Sequence, residues 1–247
     1  MSSPATVLLL GATGRTGGMV LQQLLGRGLA VRAIVRSRAK LPQGTEADPR
    51  LTVVEASLLS LADEEIRQHL RGCAAVVSCL GHVPNLKGIY GGPRDLVTRA
   101  TERLCRGLET LGPPSPVKFI LLSSVSVNRP DRPDGRRGPL ERAFLRVLCL
   151  VLPPARDNQR AAEFLHGKIG RDHPFVQWAV VRPDSLQEGD LSEYRVDEGL
   201  VNSLAAPGRS NMANVAHFLG ELVEHPDVWA EWKGQMPVLI NAAPGRS

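Results

Sequence analysis

Aromatic residues make up only 4% of the 247-residue chain, and just two of them are tyrosines, Tyr90 and Tyr194. Cysteine is equally sparse. Cys73, Cys79, Cys105 and Cys149 form no C-x-x-C pair and have no histidine partners at ligand spacing. That excludes a disulfide framework and a readable metal site, and leaves four small buried apolar residues of a reducing compartment. Charge of one sign is also lacking: 30 basic and 25 acidic residues are interspersed, so the net +5 makes no nucleic-acid footprint. The longest apolar run, 147–152 extended back to Ala143 through Arg146, is too short to cross a bilayer. No room for a signal peptide precedes the first apolar segment. The expectation is a cytoplasmic protein without nucleic-acid or membrane partners. There is no internal repeat and no low-complexity tract, and the length suits a single α/β domain spanning residues 1–247.

Glycine, by contrast, is plentiful and concentrated where it is informative. An apolar strand over 6–10 runs into Gly11-Ala12-Thr13-Gly14-Arg15-Thr16-Gly17-Gly18, then a helical segment, then a second strand over 30–36. This is the order of a dinucleotide-binding β-α-β unit. Gly11 lets the chain turn off the first strand, Gly14 clears space for a pyrophosphate, and Gly17 lets the helix approach the sheet. The N–H groups of that helix's first turn, around Thr13, Arg15 and Thr16, are expected to meet the phosphates. A ribose 2′-hydroxyl would call for an acid at the end of the second strand. The chain instead has Arg36-Ser37-Arg38 with Lys40 beyond, which favours the 2′-phosphate of NADP(H).

The alternation continues. Strands are predicted over 51–55, 74–79, 117–122, 176–182 and 236–240, and helices over 62–70, 93–110, 156–169 and 211–224. Strands alternating with helices predict a doubly wound, Rossmann-type parallel sheet. Residues 128–154 interrupt it with five prolines and an apolar helix over 140–152. An insertion at that edge of the sheet reads as a substrate lid, or as a surface that packs on a second subunit through the 139–152 helix. Residues 183–247 form a C-terminal, substrate-side portion.

The stretches Leu9-Leu10-Gly11-Ala12-Thr13-Gly14-Arg15-Thr16-Gly17, Ile34-Val35-Arg36, Val76-Val77-Ser78-Cys79-Leu80-Gly81, Phe119 to Ser124, Val180-Val181-Arg182-Pro183 and Pro207 to Ser210 followed by Asn214-Val215-Ala216 resemble the atypical short-chain dehydrogenase/reductases. The likeness is to their NmrA-like and flavin/biliverdin-reductase-like branch, and the last stretch is similar to the one that branch places before its final helix. Two departures stand out. The third strand ends Glu55-Ala56-Ser57 instead of Gly-Asp, and neither tyrosine is followed four residues on by lysine. The Tyr-x-x-x-Lys pair, whose tyrosine is the acid or base in ordinary members with its pKa lowered by the lysine, is therefore missing. Its helix reads Asp157-Asn158-Gln159-Arg160 instead.

The resemblance then implies an NADPH-dependent oxidoreductase acting on a small-molecule substrate. Hydride would pass to a conjugated acceptor such as a quinone or flavin that needs no strong side-chain acid. The alternative is a non-catalytic NADP(H) sensor of the NmrA type. Ser124 and Asn158 are the expected catalytic residues, and Asp157 is expected either in the pocket or as the N-cap of its own helix. Gly81 is expected beside the cofactor ribose. His82 and Tyr90, the latter in a glycine-rich loop over 87–93, are the expected substrate contacts.

Overall fold

The computed structural model describes residues 5–82, 93–131, 135, 138–203 and 206–242. The expected alternation is present. In chain order it comprises β1 (Thr6–Leu10), α1 (Arg15–Gly26), β2 (Ala30–Val35), β3 (Leu51–Glu55), α2 (Asp63–Leu70), β4 (Cys73–Ser78), α3 (Leu96–Leu111) and β5 (Val117–Leu122). Then follow α4 (Pro139–Val151), α5 (Pro153–Phe164), β6 (Val176–Pro183), β7 (Ser185–Gln187), β8 (Tyr194–Asp197), β9 (Arg209–Asn211), α6 (Met212–Glu224), α7 (Pro226–Trp232) and β10 (Val238–Asn241).

Eight strands form one sheet in the order β3-β2-β1-β4-β5-β6-β10-β8. All neighbours are parallel except β10 and β8. Successive side chains point to opposite faces, which accounts for the near-continuous apolar strands. Leu8, Leu10, Val76, Phe119 and Val180 pack on one side with α2, α3 and α5. Val7, Leu9, Val77, Ile120 and Val181 pack on the other with α1, α6 and α7. The direction of winding reverses between β1 and β4, so the crevice of the sheet opens beyond Leu10 and Ser78, which are register partners.

Several expectations are corrected. The helix expected over 93–110 begins only at Leu96. That expected over 156–169 begins at Pro153, and its end widens over 165–169 into a turn closed by the Gly170 N–H on the Leu165 carbonyl (3.0 Å). A proline at the first position preorganises that earlier start. The strand expected to close the sheet lies inside its edge, because β8 adds antiparallel beyond it. A short helix, α7, follows the one expected to be last. A separate parallel pair, β7 with β9, was not legible at all, being three residues per strand with Leu186 the one apolar side chain.

Candidate functional site

The glycine loop is tightly drawn. Gly14 N–H donates to the Gly11 carbonyl (2.9 Å), and Gly11 has φ +79°, a conformation that favours glycine. A Cβ on Gly11 would collide with the Cys79 carbonyl, and one on Gly17 with the Gly11 carbonyl, with the Cys79 Cβ only 3.2 Å away. The closeness at Gly17 is thus to its own loop and to the end of β4. At Gly14 an added Cβ would meet, among the described residues, only the Gly11 carbonyl at 3.3 Å, so no described side chain fills the space in front of it. Gly14 is the N-cap of α1, no side chain caps the helix, and no acid sits in its first turn. An open cradle before a twelve-residue helix whose positive end is uncapped fits a diphosphate. Thr13 and Thr16 are half-buried beside it, and Arg15 is exposed, 3.9 Å from Glu188.

Beyond β2 the basic residues divide. Arg38 donates to the Val53 carbonyl (2.7 Å) and lies 3.7 Å from Glu55. It is tied to β3 by the very acid that departs from the resembling pattern. Arg36 is exposed and makes no hydrogen bond or ion pair with another described residue. It fits a 2′-phosphate, whereas no acid ends β2.

Past β4, Gly81 is exposed, and among the described residues nothing lies within 4 Å of an added Cβ. His82 is turned inward: its Nε2 lies 2.9 Å from Asp157 Oδ2, and both side chains are almost fully enclosed. Asp157 also accepts from the N–H groups of Val97 (2.8 Å) and Thr98 (2.9 Å), while its own carbonyl accepts from Thr98 Oγ1 (2.9 Å). These two N–H groups are in the first turn of α3, so Asp157 caps a neighbouring helix. It does not cap its own, whose N-cap is Leu152. Asn158 is half-buried one position on, with no hydrogen bond to another described residue. Tyr90 and most of its loop lie outside the described residues.

Ser124 follows β5, as expected. Its hydroxyl pairs with that of Ser126 (2.6 Å), and its oxygen also receives the Ser126 N–H (3.3 Å). The preceding Ser123 hydroxyl is buried without a hydrogen-bond partner among the described residues. Three residues absent from the expected site hold this turn. Gln159 accepts from Asn128 N–H (2.8 Å) and donates to the Asn128 carbonyl (3.2 Å). The fully buried Arg182 donates to the carbonyls of Val127 (3.1 Å) and Met236 (2.9 Å). Arg129 binds Asp131 (3.2 Å) and the Glu198 carbonyl (2.8 Å). The one signal for Gln159 was that polar residues fill the helix where the acid–base pair was expected.

The free cysteines Cys73, Cys79 and Cys105 behave as structural residues. Burial pushes the thiols of Cys73 and Cys79 up to about 11 and about 12, and raises Cys105 likewise. Among the described residues no group of three or more His, Cys, Asp or Glu could hold a metal.

A cradle for a dinucleotide on this sheet places the chain among nucleotide-dependent Rossmann proteins. A family model described as NAD(P)H-binding matches residues 11–226, and the chain belongs to that family. It is 33% identical over 245 residues to the chloroplastic protein At2g34460 of Arabidopsis thaliana, covering 93% of this chain and 83% of the relative. Among solved structures, a wide-type short-chain dehydrogenase/reductase from Veillonella parvula in complex with NADP matches with TM-score 0.68 and 13% identity over 98% of this chain and 96% of the other. A protein of Streptococcus pneumoniae named as a candidate NADH-flavin reductase matches with TM-score 0.66 and 16% identity over 96% and 100%. At these identities the two structures show the shared fold.

Proposed function

We propose that the protein is an NADPH-dependent oxidoreductase that passes hydride to a small conjugated acceptor, a quinone or a flavin. The observation that carries this reading is the open start of α1 joined to an exposed Arg36, engaged by no other described residue, at the end of β2. A bound nicotinamide dinucleotide would supply the hydride. The chain's own part is to hold it and align the acceptor. The first turn of α1 would bind the diphosphate through backbone N–H groups, with Gly14 leaving room, and Arg36 would take the 2′-phosphate. At the other end, Asp157 is committed to α3 and His82, and Ser124 to Ser126. No phenol or lysine occupies their place, so the side chains there are suited to orienting an acceptor that draws its proton from solvent. Ser124 would orient it by exchanging its bond to Ser126 for one to the acceptor, and Asn158 from α5. The buried thiols suit a reducing compartment such as the cytoplasm.

The test is NADPH consumption in a screen of quinones and flavins, on protein shown by calorimetry to bind the cofactor stoichiometrically. Turnover that falls more than cofactor affinity in Ser124→Ala and Asn158→Ala is the expected result. Stoichiometric binding without oxidation by any acceptor would favour a sensor of the NmrA type instead.

A further inference from the structure

A second cleft lies at the end of the sheet away from the dinucleotide cradle. It opens beside Cys73 and Val117, the first residues of β4 and β5, and has a volume of about 580 Å³. The cradle sits beyond the last residues of the strands, and a six-residue strand such as β4 is about 20 Å long, so the length of the sheet separates the two. The lining is mostly apolar and bridges both faces of the sheet. Leu70 and Leu108 come from the core on the α2–α3 side, Trp229 of α7 from the core on the other. The volume falls within the roughly 300–1,000 Å³ of sites that enclose small molecules.

The polar side chains say which kind. Arg71 and Lys118 are the charged residues of the lining, and no acid is among them. Lys118 Nζ donates to the carbonyls of Leu222 (3.0 Å) and Val223 (2.7 Å) in the last turn of α6, and stands 5.3 Å from the centre of the Trp229 ring. These partners carry no full negative charge, and burial holds the half-buried ammonium below the ordinary 10.5. Gln177 is the register partner of Lys118 on the neighbouring strand, so the two side chains share a face. An indole N–H can only donate. The Gln177 side-chain oxygen therefore accepts from Trp229 Nε1 (2.8 Å), which leaves the amide NH2 as a donor. Arg71 is exposed, 3.8 Å from a Glu64 that Arg67 already binds at 3.0 Å. A free phosphate would satisfy these donors but leave the apolar lining wet. A neutral hydrocarbon would cover the lining and leave the ammonium without a counter-charge.

We propose that this cleft binds an apolar carboxylic acid, its carboxylate held by Lys118 and Gln177 and its hydrocarbon body laid between Trp229 and Leu108, with Arg71 adding positive charge at the rim. The site is separate from the cofactor cradle and stands apart from the redox reading.

The experiment is isothermal titration of the full chain with decanoate and with decanol, its neutral analogue, each with and without NADPH. Decanoate is expected to bind at one site, about ten-fold or more tighter than decanol, as a charge-assisted contact provides. NADPH should leave that affinity unchanged. Lys118→Met, which keeps the apolar stem and removes the charge, should bring decanoate down to the affinity of decanol. Arg71→Ala should weaken decanoate by a smaller factor. If Lys118→Met does not fold, Ala74→Phe decides: it places a ring in the cleft from an exposed position of the lining and should abolish binding of both compounds while NADPH still binds. No decanoate binding, equal affinity for the two compounds, or binding that Ala74→Phe leaves intact overturns the proposal. So does displacement of decanoate by NADPH, since the acid would then occupy the crevice of the cradle.

Discussion

The two ends of the crevice are built in opposite ways. At the β1 end the site is made from missing atoms: glycines with no side chain, a helix start with no cap, and a strand that ends without an acid. At the β4–β5 end it is made from side chains that hold one another. His82 and Asp157 are 75 residues apart, Asp157 and Val97 60, Asn128 and Gln159 31. An end built from omissions keeps its groups available for a ligand. An end built from pairings is rigid, and its polar groups are largely occupied before any ligand arrives. A cofactor needs the first kind of site, while an acceptor that brings no demand for a strong acid is served by the second.

The sharpest test of this contrast is Gly14→Val. The backbone there is extended (φ −84°, ψ 164°), and among the described residues an added Cβ meets one near neighbour, the Gly11 carbonyl at 3.3 Å, a tight contact that a shift of a few tenths of an ångström relieves. NADPH binding by calorimetry should fall below detection, while the urea unfolding midpoint stays close to that of the unmutated protein. Retained affinity would show that the loop is merely a turn.

Asp157→Ala probes the other end. It strands two N–H donors of α3 and removes the carboxylate that His82 contacts, all in enclosed surroundings. Stability should drop by about 3 kcal/mol, since each buried group left unpaired costs about 1–3 kcal/mol. Asp157→Asn, which keeps an acceptor oxygen for the helix, should cost clearly less. Equal losses for the two in denaturant unfolding would contradict the capping role.

Arg36→Glu should erase a preference for NADPH over NADH of about ten-fold or more, as expected for a charge-assisted contact of about 1.5–3 kcal/mol. Arg38→Ala should change that ratio less, because Arg38 is bound to Val53 and Glu55. Isothermal titration with both cofactors decides it. A larger effect from Arg38 would reverse the assignment.

The smallest effect expected is on pH. His69 and His217 lie away from either end, and burial, the leading cause, depresses both below the ordinary 6.5. The unfolded chain therefore binds more protons just below that value. Their contribution is fully present above pH 6.5 and is lost as pH falls below it. Glu221 sits below its ordinary 4.5: burial pushes it up, but the hydrogen bond and charge of Arg27 outweigh that. The decline should therefore continue below pH 4.5. His217→Gln should flatten part of the upper slope in thermal melts, with the remainder due to His69.

The boundaries of β1, β3 and β5 were legible to the residue, because each is an apolar or alternating run between turns and is set by its own side chains. The β7–β9 pair was not, since three residues with a single apolar one or none become a strand only when a distant partner supplies the hydrogen bonds. Asp157 shows the same limit inside the site. Its sequence context allows a cap, and the fold chose a different helix for it.

What the sequence by itself determined is the dinucleotide cradle, the winding of the sheet, and the absence of a Tyr-x-x-x-Lys pair. Glycine spacing, apolar periodicity and residue identity are local quantities, and a chain carries them unfolded. Only the tertiary structure decided that Arg38 is spent on β3 while no other described residue engages Arg36, that Asp157 binds His82 and α3, and that Gln159 and Arg182 grip the Ser124 turn. Each of the bonds named is between groups 15 to 75 residues apart, and its partner is fixed only once the strands and helices have packed.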